Sequence, residues 1–521
     1  MSTMTPLAET RQVNGQIELA DPASITSSPY ANAELTPIPL SRRTWTTYNY
    51  VAIWMGMSHN VSSYLLASGL IALGMGWLQA FLTITIANFL VLIPMLLNSH
   101  AGTKYGIPFP VFSRAFYGVR GANLAALLRA FVACGWFGIQ TWIGGQAIYV
   151  IIGRLAGSGW TNASGFGGQP WTMWLSFAAF WLVQMALIWR GINALRRFEN
   201  WAAPLVTVAF TVLLVYMLVK AGGIGPILHQ NGSLGWGSHF WPVFWPSLMA
   251  MIAYWATLSL NMPDFTRFGK GQRQQTWGQI LGLPTTMSYI AIVSIVVTSA
   301  AAVVYHTTIW DPVQLTTKFS NTAVVIIGLI MVVLATMSVN VAANVVRPSY
   351  DFSNASPRLV SFRVGGLITG VLGILIQPWR LLSDPHIYIF TWLGFYGGVL
   401  GTIAGVLIAG YWVRARTRLS LGELYIRDSR YWYRAGWNWR AVVATVVGGV
   451  LSVGGAYSAP AGSGPFPVNG LIPALKQLYD YSWVVGLGVG FALYLVLSLP
   501  VFGRTGDTPP ADDSAPGKHR A

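Results

Sequence analysis

The sequence predicts an all-α membrane protein with twelve transmembrane helices, and three observations carry that prediction. Hydrophobic residues make up 54% of the 521-residue chain and charged residues 9%, too few to cover a soluble protein of this size. Several apolar stretches exceed the ~20 residues that a helix needs to cross a ~30 Å hydrocarbon core. The formal charge of +16 is spread unevenly over alternate loops, as expected of a multi-pass protein with its basic loops in the cytoplasm. That asymmetry accounts for the charge without a nucleic-acid partner.

In chain order, residues 1–45 form a polar cytoplasmic N-terminal tail without the apolar core of a signal peptide, and 1–40 read as disordered. Spans 1 to 5 fall near 48–70, 76–98, 122–154, 173–190 and 199–222, and make a first five-helix unit over 46–222. Spans 6 to 10 fall near 242–261, 278–304, 320–345, 363–381 and 388–412, and make a second unit over 242–412. A cytoplasmic linker, 413–438, holds Arg414, Arg416, Arg418, Arg427, Arg430 and Arg434. Spans 11 and 12, near 439–458 and 482–502 within a 439–502 segment, precede a cytoplasmic tail at 503–521. Spans 1 and 6, and spans 3 and 8, are each offset by roughly 195 residues. An offset of five spans reverses orientation, as in transporters built from inverted repeats.

An even number of spans puts both termini on one side. Placing them inside gives the cytoplasm Arg42, Lys104, Arg114, Arg190, Arg267 and the linker arginines. The opposite loops keep Arg154, Lys220, Lys318, Arg380 and Lys476. A plasma-membrane location is expected. The lone Cys134 lies in an apolar stretch and supports no disulfide framework.

A polar group at membrane depth must pair, line a cavity or bind something. Span 1 carries Ser58, His59 and Asn60 in a row, just after Gly56. Span 3 carries Trp136 and Gln140, four residues apart and so on one helical face. Span 6 carries Tyr254, Trp255, Thr257, Ser259 and Asn261, and span 8 carries Ser338, Asn340 and Asn344. Such amides often join helices to one another. Here they recur on repeat-related spans beside two indoles. Flat aromatic faces with amide donors and acceptors suit a flat, neutral, amide-rich heterocycle. No Asp or Glu falls near a span centre, and the lack of a mid-membrane carboxylate or arginine argues against a strongly charged substrate.

At these residues the chain resembles the nucleobase:cation symporter-1 family, whose members take up hydantoins, allantoin, uracil, cytosine and related compounds. The likeness runs from about residue 40 to 440. It includes TKYGIPFPV (103–111), GANLAALLRA (121–130), GWFGIQTW (135–142), NMPDFTRF (261–268) and SVNVAANVVRPSYD (338–351). The resemblance implies a leucine-transporter-like 5+5 inverted repeat, with spans 1 and 6 broken at mid-membrane, plus two C-terminal helices. By motif, Trp136, Gln140, Trp255 and Asn344 match the family's positions that sandwich and hydrogen-bond the heterocycle, and Asn60 matches a further polar contact. Gly56 and His59 match positions lending backbone carbonyls to a sodium ion, with Ala335 and Ser338 completing the site. The family's sodium-dependent members place Thr directly after that Ser; here the residue is Val339. A hard cation would lose one oxygen ligand there. His59 then becomes a candidate proton carrier as well as a substrate contact, so the coupling ion is sodium or a proton.

These residues predict a cation-coupled importer of a small heterocycle, allantoin or a related hydantoin or ureide first, and uracil or another nucleobase second. A channel would need a polar stripe along several helices rather than a cluster at one depth. An enzyme would need a nucleophile with a base, or a metal cluster, and His59 has no acidic or thiol partner at its depth. A receptor would bind the same ligand without moving it. No cofactor is expected, and folds of this kind can work as monomers.

Overall fold

The computed structural model describes residues 9–32, 35–190, 192–229, 232–355, 359–458, 462 and 464–500. The expected C-terminal tail, 503–521, lies outside them.

The N-terminal segment departs from expectation. Residues that read as disordered form a hairpin of β1 (Thr10–Val13) and β2 (Gln16–Leu19), with Thr10 opposite Leu19 and Val13 opposite Gln16. The turn is Asn14–Gly15 with both φ angles positive, 50° and 77°, the sequence signature of a two-residue hairpin. It docks on the bundle through polar groups. Gln16 Nε2 donates to the carbonyls of Thr103 and Gly269 at 3.0 and 3.2 Å. The buried Arg43 guanidinium donates to the carbonyls of Ile17, Ile38 and Thr103. Farther along, Tyr425 Oη of the linker donates to the Leu35 carbonyl at 2.6 Å. Composition hid this because the segment has no core of its own and is held by hydrogen bonds to the bundle's backbone and by Leu19, Ile25 and Leu35 buried in the bundle's core.

Helices follow in the expected order. Span 1 is two helices, α1 (Thr47–Ser58) and α2 (Val61–Ala72). At the break His59 has φ −84° and ψ 79°, and Asn60 is extended. The Asn60 side chain accepts the Ser63 N–H at 3.0 Å, so it acts as the N-cap that starts α2. Next come α3 (Trp77–Tyr105), α4 (Ala122–Ala156), α5 (Trp171–Arg190) and α6 (Ile192–Lys220). Span 6 is also broken, into α7 (Trp241–Tyr254) and α8 (Ala256–Asn261), with Trp255 at the junction. After α9 (Gln272–Tyr305) comes α10 (Thr322–Asn344), and Val345 separates it from α11 (Val346–Ala355). Span 9 is α12 (Phe362–Leu375). Span 10 has a π-helical turn at each end, Ile387–Leu393 and Ala409–Arg414, around α13 (Gly394–Ile408). Then come α14 (Trp439–Val453) and α15 (Ser482–Leu497).

By length and apolar composition, five of the described helical segments qualify as single spans, and a pair bent by 99° near the C-terminal end brings the number to six. The other expected spans are shorter or broken, and the full count of twelve crossings stays an expectation. Large apolar side chains turned outward, such as Phe89, Ile93, Val208 and Val212, form a surface suited to lipid. Inside, close approach depends on small residues. A Cβ on Gly138 of α4 would sit 2.2 Å from the Gly373 carbonyl of α12, so these helices touch backbone to backbone.

Candidate functional site

The two helix breaks meet. Tyr254, the last residue of α7, places its hydroxyl 2.8 Å from Ser63 Oγ and 3.5 Å from Asn60 Oδ1, both at the start of α2. Beside this contact lies a cavity with about 60 Å3 of room for the centres of water molecules. One water needs roughly 10–15 Å3 by that measure, so the space holds about four, the scale of one small ring.

Asn60, Trp136, Gln140, Trp255 and Asn344 all line this cavity, together with Met57, Tyr254, Thr257 and Val339. Each is placed by a local cause. On α4, Arg129, Ala133, Trp136 and Gln140 recur at helical spacing and share the cavity face. The Trp136 ring stands edge-on to Tyr254, centroids 5.1 Å apart, and against Trp392 and Tyr396 of span 10 at 6.2 and 6.3 Å. Trp255 packs edge-on to Trp54 at 5.2 Å, and its indole N–H donates to Asn88 Oδ1 of α3 at 3.1 Å.

The amides have a definite sense. Asn340 Nδ2, with two hydrogens, is shared among the Phe137 carbonyl at 3.1 Å, Thr141 Oγ1 at 3.2 Å and Gln184 Oε1 at 2.7 Å. A main-chain carbonyl can only accept, so the Asn340 nitrogen must face it and Asn340 Oδ1 must accept from elsewhere. Asn344 Nδ2 supplies that bond at 3.0 Å. Asn344 is thereby fixed with its own oxygen as the remaining acceptor. Gln140 Oε1 is buried and has no hydrogen-bond partner among the described residues. Such an atom costs ~1–3 kcal/mol until something donates to it. Two acceptors on one wall favour a ligand edge rich in N–H.

His59 goes elsewhere. Its Nδ1 lies 2.6 Å from Thr207 Oγ1 of α6, its ring packs on Tyr289 of α9 at 4.9 Å, and it is not among the cavity-lining residues. The structure therefore does not bring its imidazole to the residues expected to hold the substrate. The reason is the extended Asn60, because consecutive side chains on extended backbone point to opposite sides.

The backbone around the break bears on the expected ion site. Met55 and Ser58 carbonyls accept from the His59 and Asn60 N–H groups, and the Met57 carbonyl accepts from Asn60 Nδ2. The carbonyls of Gly56 and His59 accept none of these bonds, because the Asn60 N–H goes to Ser58 and the Ser63 N–H to the Asn60 side chain. Ala335 is buried on α10, and the Ser338 side chain lies outside the described residues.

The cavity wall also contains an arginine: Arg129 lines it, paired with Asp351 of α11, and both side chains are almost wholly buried. Pairing cancels the charge, so a neutral ligand remains the better fit. Arg129 and Asn88 escaped the sequence inventory although each stands in a long apolar run, which is the signal for a polar group at membrane depth.

Residues 37–486 match the family model described as permease for cytosine/purines, uracil, thiamine, allantoin. The chain belongs to this family. The permease is 40% identical over 480 residues to the allantoin permease of Bacillus subtilis (strain 168), covering 90% of this chain and 94% of that one. It is 36% identical over 470 residues to the purine-uracil permease NCS1 of Arabidopsis thaliana, covering 90% and 78%. Among solved structures it is similar to Mhp1, a nucleobase-cation-symport-1 family transporter, in a closed conformation with bromovinylhydantoin bound. That match has a TM-score of 0.70 at 24% identity, covering 90% of this chain and 95% of that one. The permease therefore has the leucine-transporter-like fold expected from the resemblance.

Proposed function

We propose that the permease imports a small neutral heterocycle of the hydantoin or ureide class, allantoin first, by cation-coupled alternating access across the plasma membrane, with both termini in the cytoplasm. The observation that carries this reading is the unpartnered Gln140 Oε1 on the wall of the cavity that Trp136, Trp255 and Asn344 also line. A ureide ring stacks on the indoles and presents N–H groups to Gln140 and Asn344, while Asn60 offers a further polar contact. The names of the Bacillus relative and of the hydantoin-bound transporter support the same class. The basic loops support the orientation.

We assign the cation, sodium or a proton, to the break in span 1, with the carbonyls of Gly56 and His59 as ligands and Ala335 and Ser338 as the further positions that the resemblance implies. The deciding experiment is uptake of radiolabelled allantoin, hydantoin, uracil and cytosine into cells expressing the protein, with and without sodium. Saturable allantoin or hydantoin uptake is expected. Uptake of uracil alone would favour the second reading, to which the Arabidopsis relative's name points. Binding without uptake would indicate a receptor.

A further inference from the structure

The cavity at the helix breaks continues past its aromatic walls to Arg129 and Asn261. Arg129 precedes Trp136 by seven residues on α4, and Asn261 follows Trp255 by six. At 1.5 Å per residue these offsets amount to roughly 9–10 Å along each helix. Spans 3 and 6 run in opposite directions, so both offsets lead toward the same end, the one with the basic loops. Asp351 follows Asn344 by seven residues on span 8 and meets Arg129 at this level as an ion pair.

The chemistry of this end differs from that of the Trp136–Trp255 platform. Gln140 and Asn344 present acceptors, whereas a guanidinium carries only donors. Arg129 lines the cavity, and Asp351 beside it cancels the field that would demand an anion. The Asn261 amide lies on the same cavity wall, bonded to Asp264 Oδ2 at 3.4 Å, and Asp264 Oδ1 accepts the Phe109 N–H at 2.8 Å. A neutral ring carrying carbonyl oxygens matches this donor set with its opposite edge.

We propose that Arg129 and Asn261 form a second substrate station, which takes the carbonyl edge of the heterocycle after it leaves the aromatic platform and before it reaches the basic-loop side. The station rests on the transport function proposed above. It gives the cavity two successive recognition chemistries: N–H groups are read first and carbonyls second.

The test uses the full-length protein in proteoliposomes with radiolabelled allantoin, comparing Asn261→Ala and Arg129→Lys with the unmodified protein. Lys keeps a charge for Asp351 but loses the planar fork. An interaction made only during exit lowers turnover without touching ground-state affinity, so equilibrium binding should stay within about twofold while exchange at saturation falls about tenfold or more. Unchanged exchange in both variants would overturn the station. So would a parallel loss of affinity and rate at unchanged melting temperature, since that places both residues in the first site. Where Arg129→Lys does not accumulate as folded protein, Asn261→Ala decides by the same two measurements. Unmodified protein that binds none of allantoin, hydantoin and uracil would overturn the transport reading and the station together, whereas normal binding with normal variants overturns the station alone.

Discussion

The indole N–H of Trp255 donates to the side-chain oxygen of Asn88, 3.1 Å away, so a residue of α3 holds an aromatic wall of the cavity in place. Asn88 is buried, and its own nitrogen is spent on the Ile84 carbonyl at 2.8 Å. Asn88→Ala should weaken substrate affinity about tenfold, the effect of losing a bond worth ~1–3 kcal/mol. Trp255→Phe removes the same N–H and should cost a similar amount. Binding to the double variant should then be little worse than to either single one, because neighbours in one bond are not additive. Fully additive losses would show that Asn88 acts without Trp255.

Asn344 and Asn340 should separate binding from folding. Asn344→Ala and Gln140→Ala each remove a cavity acceptor, and each should reduce affinity for allantoin about ten- to a hundredfold with normal membrane expression. Asn340→Ala breaks the bonds joining α10 to α4 and α5, so its main effect should be a lower melting temperature. Normal uptake by both cavity variants would place the site elsewhere.

Val339 lines the cavity, and by the resemblance it stands where sodium-dependent members of the family carry Thr. Uptake should therefore change little when sodium is replaced by choline, and a protonophore should depress it. Val339→Thr should introduce sodium stimulation by restoring an oxygen ligand. His59→Gln can still bond Thr207 but cannot carry a proton, and should remove the response to external acidification. Strong sodium stimulation of the unmodified protein, indifferent to His59→Gln, would sink the proton assignment.

Asp311, in the loop between α9 and α10, should set a pH dependence of stability. Burial pushes its carboxyl up to about 6, against the backbone N–H groups of Val313 and Gln314 that pull it down. Below pH ~3 the carboxyl is neutral in both folded and unfolded chains and costs nothing. As pH rises toward 6 the unfolded chain ionises first, so the folded state loses up to about 3 kcal/mol and does not regain it at higher pH. Asp311→Asn keeps an oxygen for the Val313 N–H, now 2.8 Å away, without the charge. Thermal melts should show Asp311→Asn more stable at pH 7–8 and equal to the unmodified protein at pH ~3. An equal shift at both pH values would point to a cause other than ionisation.

The sequence by itself determined the membrane class, the order of the helices and five residues of the cavity, while the break in span 1 was implied by the family resemblance. These features follow from local rules. Apolar length marks spans, Asn60 caps the helix that follows it, and Trp136 and Gln140 share a face because a helix repeats every 3.6 residues. Only the tertiary structure decided where the chain's exceptions point. His59 and Asn60 are neighbours, yet extended backbone sends one side chain to Thr207 and the other to the cavity. Arg129 and Asp351 are far apart in sequence, and Asn88 is one amide in an apolar run. Their roles appear only when another helix supplies the partner. The docked hairpin belongs to the same kind: its Asn14–Gly15 turn was legible, but its hold on Thr103 and Gly269 is not. Local periodicity fixes which face a side chain occupies, whereas the partner of a buried polar group is set by whichever distant segment packs against that face.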